Sequence, residues 1–340
     1  MEEKTTNKNQ SRLVLVITLL LAAGGLFLAL RGVNWTELGA TFARGDLRML
    51  ALGVLLLSIS CMVRGLRWRV LLSAEKVLPP LTVFWATMLG YLGNAYLPAR
   101  AGEVARSVVI GEKGSISKTF SLATALTERV VDAVILVAVS AVALTGMGVL
   151  SPELEQGMRA MSIVGAIGIV GILAAPRLGG LVNWIVARLP VSPKLREKLG
   201  GIAGSFLTGA GALQHWGRLA QFLLYSAAIW SLDTLCGLSV ARAFGLGLTA
   251  PQVFVLLAAI GIASAIPSTP GYVGVYQLVA VAVLVPFGLS QAEALAYIIA
   301  YQGVMYVVIT FWGMIGLWQL REVFGLLIQS LFRKKSPAVK

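Results

Sequence analysis

Apolar residues in this chain fall into long runs separated by short polar stretches. A bilayer crossing needs about 20 apolar residues, so the runs predict membrane-spanning helices over 13–30, 49–63, 119–145, 160–175, 219–241 and 293–319. Two further runs, 81–112 and 251–288, are interrupted by Pro and Gly. The first break reads Asn94-Ala95-Tyr96-Leu97-Pro98-Ala99-Arg100-Ala101-Gly102-Glu103, and the second Ile266-Pro267-Ser268-Thr269-Pro270-Gly271-Tyr272-Val273-Gly274. In both, a Pro precedes a Gly by four residues. Broken helices at membrane depth are tolerated only where the backbone is buried in protein or lines a wet cavity. Each broken run is therefore expected to form a helical hairpin bent within the membrane. The alternative, a pair of ordinary full spans, also fits the lengths.

One gapless offset carries Pro98 onto Pro267 and Gly102 onto Gly271. The same offset carries Arg64 onto Asp233, Glu128 onto Tyr297 and Asp132 onto Tyr301. The order span, hairpin, span then appears twice, over about 49–145 and about 219–319. The expected fold is all-α and polytopic, with about six full spans plus two re-entrant hairpins in an inverted repeat. Residues 1–12 form an N-terminal tail, 13–320 the transmembrane domain and 321–340 a basic tail. Matched discontinuous helices in two inverted halves are where transporters place their substrate.

Composition agrees with that class. The 340 residues are 57% hydrophobic and 13% charged, with a mean hydropathy of +0.83, whereas a soluble domain carries about 25% charged residues. The run Leu13 to Leu30 has no small-residue cleavage site leading into a soluble domain, so it is expected to be retained as a span. Cys61 and Cys236 both sit in apolar segments, which argues against a disulfide framework. The net charge is +13, concentrated in 1–12, 64–80, 98–118, 176–218 and 320–340, while the intervening loops carry no net charge between them. The positive-inside rule then places both termini in the cytoplasm, in a bacterial or archaeal cytoplasmic membrane. Basic segments of this kind suit anionic lipid headgroups. Nothing resembles a basic module interleaved with aromatics for nucleic acid.

Polar residues inside the apolar runs are the candidates for function. Ser121, Thr124, Glu128 and Asp132 recur at helical spacing and share one face. Each carboxylate at the bilayer centre would cost about 3 kcal/mol, so this face should turn inward. Arg129 stands one turn before Asp132 and is expected to pair with it. The group is either a structural salt bridge or part of a polar path. In the first hairpin, Glu103 and Arg106 are one turn apart, and Arg100 follows the break at a helix N-terminus. Together with Asn94 they suit an anionic headgroup. The second hairpin offers Ser268 and Thr269 hydroxyls, close backbone approach at Gly271 and Gly274, and the polar tips of Tyr276 and Gln277. Asp233 lies within a span, as a proton or ion site, as a partner for an arginine of the first half, or as a neutral buried acid. The sequence shows no phosphate-binding loop, His/Cys metal cluster or other catalytic constellation, so neither cofactor nor metal is expected. The single histidine, His215, is expected to be solvated.

The segments GYLGNAYLPARAGEVARSVVIGEK, TALTERVVD and IPSTPGYVGVYQ resemble the lysylphosphatidylglycerol synthase transmembrane region, or flippase-like, family, over about residues 13–320. The resemblance implies a lipid translocase rather than an enzyme, without the soluble synthase domain that some members carry. A lipid-synthesis enzyme encoded separately would then be a partner. It implies Asn94, Pro98, Arg100, Gly102, Glu103, Arg106, Glu128, Arg129, Pro267, Pro270, Gly271 and Gly274 as the functional set. At Gln277 the chain carries the neutral isostere of a glutamate frequent in the family. The expected activity is movement of a phospholipid or lipid-linked headgroup through a polar groove between the two hairpins. The alternatives are a membrane-embedded lipid-modifying transferase, for which Glu37 and Asp46 are candidate acids, and an accessory scaffold of a lipid-synthesis complex.

Overall fold

The computed structural model describes residues 23–97, 101–145, 163, 179–264 and 270–322, and no strand occurs among them. Helical residues 23–30 are followed by α1 (Trp35–Ala43), α2 (Leu47–Leu72), α3 (Pro80–Tyr96), α4 (Ala101–Gly114) and α5 (Lys118–Thr145). After these come α6 (Gly179–Arg188), α7 (Pro193–Gly211), α8 (Trp216–Ala243), α9 (Ala250–Ala263), α10 (Val275–Leu284) and α11 (Gln291–Gln319). The anticipated span at 160–175, apart from residue 163, lies outside the described residues, as do both tails except residues 321 and 322.

Helix ends are marked by local chemistry. Asp46 caps α2 by accepting from the backbone N–H of Arg48 at 2.8 Å. Ser290 and Glu293 form a reciprocal capping box at the start of α11, with bonds of 2.9 and 3.1 Å. His215 is exposed, as its sequence context predicts, and it also caps α8 through Nδ1, which accepts from Gly217 N at 3.2 Å.

Among the described residues three helices, α2, α8 and α11, are long and apolar enough to cross a membrane, and the chain is an integral membrane protein. At 1.5 Å rise per residue their 26, 28 and 29 residues exceed a hydrocarbon core of about 30 Å. With 28 residues α5 is equally long, but its middle carries Glu128, Arg129 and Asp132. The four helices of the broken runs, α3, α4, α9 and α10, have 17, 14, 14 and 10 residues. Each falls short of a full crossing.

The centre of the molecule is the antiparallel pair α2 and α8. Near one end, the Asp46 N–H donates to Ala243 O at 2.9 Å and Gly53 lies against Ser239 and Cys236. Near the other, Arg67 reaches Ser226 and Phe222. Around this axis the packing of the two halves is exchanged, since α3 packs on α11 as α9 packs on α5. The pairs α3–α4 and α9–α10 fold back on themselves. In the first hairpin this closeness depends on Gly102, whose missing side chain would run into the carbonyl of Gly90 and the backbone of Asn94.

Because α2 and α8 run in opposite directions, the first hairpin opens beside Leu72 and the second beside Ala243, at opposite ends of the pair. Lys113 and Pro286 are exposed at those two ends, and both native cysteines are buried. Lys113→Cys and Pro286→Cys are expected to react with an impermeant maleimide from opposite sides of oriented vesicles. Labelling of both from one side would remove the inverted arrangement.

Candidate functional site

Described residues flanking the two breaks come together beside the α2/α8 crossing, where they line a cavity of about 190 Å³. Among the described residues four charged side chains line it, Arg64, Glu103, Arg129 and Asp233, together with Asn94 and the rings of Tyr91, Tyr272, Tyr276 and Tyr301. A single water needs only about 10–15 Å³, so the space suits a polar group of several atoms.

Apart from Asp233, the first half supplies the charges. Arg64 on α2 pairs with Asp233 on α8, and Asp233 also accepts from Ser60 Oγ at 2.6 Å. A second, longer set of ion pairs begins at the cavity wall and runs inward. Arg129 donates through Nε to Glu103 Oε1 at 3.0 Å. Glu103 Oε2 lies 2.7 Å from Arg106 Nη2, which donates to Glu128 Oε2 at 3.1 Å. Glu128 Oε1 accepts from Arg67 Nε and Nη2 at 3.2 and 3.1 Å. Arg67 then donates to both oxygens of Asp132, at 2.5 and 2.8 Å, and to Ser226 Oγ at 3.1 Å. Six side chains of alternating sign thus connect the cavity with the interior. Arg67, Arg106 and Glu128 are at most 1% exposed, so each charge depends on its neighbours for compensation. The Arg106 guanidinium also lies 4.4 Å from the centre of the Trp68 ring.

Two expectations are altered. Arg129 does not pair with Asp132; it turns to Glu103 on α4, and Arg67 takes Asp132. The reason is angular: Glu128 and Asp132 share a helix face, while Arg129 projects about 100° around from Glu128. Arg106 is not presented to the cavity either, since it is fully buried and engaged by Glu103 and Glu128. Arg67 was not anticipated at all. It follows Arg64 by one turn, and the pair could be taken for the basic edge of a loop.

The second half supplies shape and hydroxyls. The described part of its break begins with a 3₁₀ turn, Pro270–Tyr272, in which Gly271 has φ 70° and Tyr272 φ 60°, followed by Gly274 at φ 88°. At Gly271 a side chain would also collide with the hydroxyl of Tyr306. A brace of two amides holds this turn. Gln277 Oε1 accepts from Gly274 N at 2.7 Å, and its Nε2 donates to Gln302 Oε1 at 2.5 Å. Gln302 Nε2 in turn donates to Gly271 O at 3.1 Å. The neutral amide at 277 therefore serves as both donor and acceptor, whereas an ionised carboxylate would only accept. Tyr272 stacks on Tyr276 with ring centres 4.9 Å apart.

Of the residues singled out from sequence, Asn94, Glu103, Arg129, Asp233, Gly271 and Tyr276 line the cavity. Arg106, Glu128 and Asp132 stand behind it, while Gly102, Gly274 and Gln277 shape its walls. Pro98, Arg100, Pro267, Ser268 and Thr269 lie outside the described residues. The candidate transferase acids are engaged elsewhere: Asp46 caps α2, and Glu37 accepts from Ser290 Oγ at 2.5 Å. No group of His, Cys, Asp and Glu among the described residues could hold a metal ion.

The family described as Lysylphosphatidylglycerol synthase TM region matches residues 15–313, and the chain belongs to it. Glycosyltransferase AglD of Haloferax volcanii is 26% identical over 327 residues, covering 84% of this chain and 51% of that protein. The chain thus spans about half the length of that relative. UPF0104 membrane protein PH1989 of Pyrococcus horikoshii is 25% identical over 275 residues, covering 74% of this chain and 81% of that protein. No solved structure matches.

Glu128 holds two buried arginines at once, so Glu128→Ala is expected to cost about 3–5 kcal/mol of stability, read as a loss of thermal stability in detergent. Gly102→Ala, which overpacks the first hairpin, should cost about 1–3 kcal/mol. Lys113→Ala, at an exposed position, should cost neither. Unchanged melting of Glu128→Ala would show that the ion pairs do not hold the helices together.

Proposed function

We propose that this family member moves a phospholipid or lipid-linked headgroup between bilayer leaflets. The headgroup passes through the cavity beside the two breaks while the hydrocarbon chains stay in lipid. On this reading α3–α4 and α9–α10 are re-entrant hairpins entering from opposite sides, within an inverted repeat over about 49–145 and 219–319. Both termini face the cytoplasm of a bacterial or archaeal cell. The observation that carries the reading is the cavity itself, where two arginines, two carboxylates, an amide and four tyrosines converge inside a predominantly apolar protein. Ionisable groups at such depth are costly and mark pathways for polar cargo. The shortness of the four hairpin helices supports re-entry, and their meeting at one cavity supports access from both sides. Tyrosine faces beside charged and amide groups suit a sugar-bearing or phosphate-bearing headgroup.

A second reading, group transfer to or from a lipid, is favoured by the likeness to a protein named a glycosyltransferase. That likeness reaches only 51% of the relative. The described acids outside the central ion pairs that were candidates for catalysis, Glu37 and Asp46, are occupied in helix capping and loop contacts. Translocation is therefore the better reading.

The test is leaflet exchange of fluorescent phospholipids and a polyprenyl phosphate in reconstituted vesicles, normalised to monodisperse protein. Arg64→Gln alone strands Asp233, so Arg64→Gln/Asp233→Asn is the fair variant. It should slow exchange at least about tenfold, the weight of one charge-assisted hydrogen bond. Arg321→Ala, beside Trp318 beyond the end of α11, should leave exchange unchanged. Exchange at the native rate in the double variant would take the cavity out of the path.

A further inference from the structure

We propose that Glu103 is a displaceable lock on the cavity's anion-binding arginine: an incoming phosphate group takes Arg129, and Glu103 withdraws onto Arg106. The inference rests on the cavity being a headgroup path and adds how that path recognises charge.

Arg129 lines the cavity with 32% of its side chain exposed, and its Nε and Nη2 both lie 3.0 Å from Glu103 Oε1. The other lining arginine, Arg64, is paired with Asp233. Neither described lining arginine therefore meets an anion uncompensated; at these two, an anion must replace a carboxylate. The two carboxylates differ in what stands behind them. Asp233 has Arg64 as its one ion-pair partner among the described residues. Glu103 lies between two arginines, its Oε1 towards Arg129 and its Oε2 2.7 Å from Arg106 Nη2.

Arg106 has donor capacity to spare. It is 0% exposed, yet its Nε and Nη1 have no hydrogen-bond partner, and only Nη2 serves Glu103 and Glu128. Unmet donors at such a site are costly. A guanidinium is built to take a carboxylate on two N–H groups at once. If Glu103 released Arg129, both of its oxygens could engage the Arg106 fork, and its charge would remain compensated. A phosphate supplies what Arg129 would lose, a forked pair of anionic oxygens. A neutral headgroup does not, so it cannot drive the exchange, because a ligand shifts an equilibrium only by its differential affinity for the two states. No covalent step is involved.

Binding of inorganic phosphate and of dioctanoyl phosphatidic acid to the purified full chain in detergent tests this. Glu103→Gln, which removes the competing charge, should tighten binding about tenfold, and Arg129→Gln should weaken it by at least as much. Arg106→Gln, which removes the refuge, should weaken binding about tenfold in the native background and have no effect once Glu103→Gln is present. Arg106→Lys, which keeps the charge without the fork, should behave in the same order and serves where Arg106→Gln is not monodisperse. Equal weakening by Arg106 substitutions in both backgrounds would make Arg106 merely structural and overturn the lock, as would weaker binding in Glu103→Gln. Phosphatidic acid following the expected order without inorganic phosphate binding assigns the site to a lipid headgroup. Equal behaviour of the two assigns it to phosphate as such. Absence of binding of either to the native protein and Glu103→Gln overturns the lock while leaving leaflet exchange to stand. The expected order in a protein without leaflet exchange retains the lock and removes the translocation reading.

Discussion

Charges buried among apolar helices have to be compensated by one another, and the architecture follows from that demand. Arg67 joins α2 to the two carboxylates of α5 and to Ser226 of α8. Arg106 joins α4 to α5, and Arg64 joins α2 to α8. Water is not at hand to replace a missing partner, so helices bearing these groups have few alternative arrangements. The same pairs bring Glu103, Arg129, Arg64 and Asp233 to one cavity wall. Stability and site thus share residues, and only the groups at the cavity end of the chain of ion pairs retain exposure enough to meet a ligand.

The two halves solve the same problem with different chemistry. Arg64 and Asp233, 169 residues apart, occupy matching positions and pair with each other. Such self-pairing is possible only near the crossing of α2 and α8, where equivalent positions face one another. Away from the crossing, the same spacing sets Glu103, Glu128 and Asp132 against Tyr272, Tyr297 and Tyr301. A tyrosine hydroxyl can satisfy itself on a backbone carbonyl, as Tyr297 does on Gly237 at 3.2 Å, and needs no counter-ion. Most of the described charged lining residues therefore come from the first half, and Tyr272, Tyr276 and Tyr301 from the second.

The polar face of α5 was legible because a helix repeats every 3.6 residues, and Ser121, Thr124, Glu128 and Asp132 are all buried. Their partners were not legible. Arg64, Arg67 and Arg69 look like the basic edge of a loop, yet α2 continues to Leu72, and it is Arg69 and Lys76 that reach backbone carbonyls, of Leu78 in the following loop and of Gly114 at the end of α4. Gln302 offered no signal either, as an amide in the middle of an apolar run whose use depends on Gly271 and Gln277 lying beside it.

By itself the sequence determined that the protein is helical and embedded in a membrane, where the helices break, and which residues could not face lipid. Those properties depend on hydropathy, on backbone restrictions at Pro and Gly, and on the cost of desolvating a charge, all of which are local. Only the tertiary structure decided which cation compensates which anion, that Arg129 turns to Glu103 and Arg67 to Asp132, and that Arg106 is enclosed with donors unmet. Pairing of that kind joins positions as far apart as Arg67 and Ser226, and their distance and orientation are set by helix packing, which no local pattern of residues encodes.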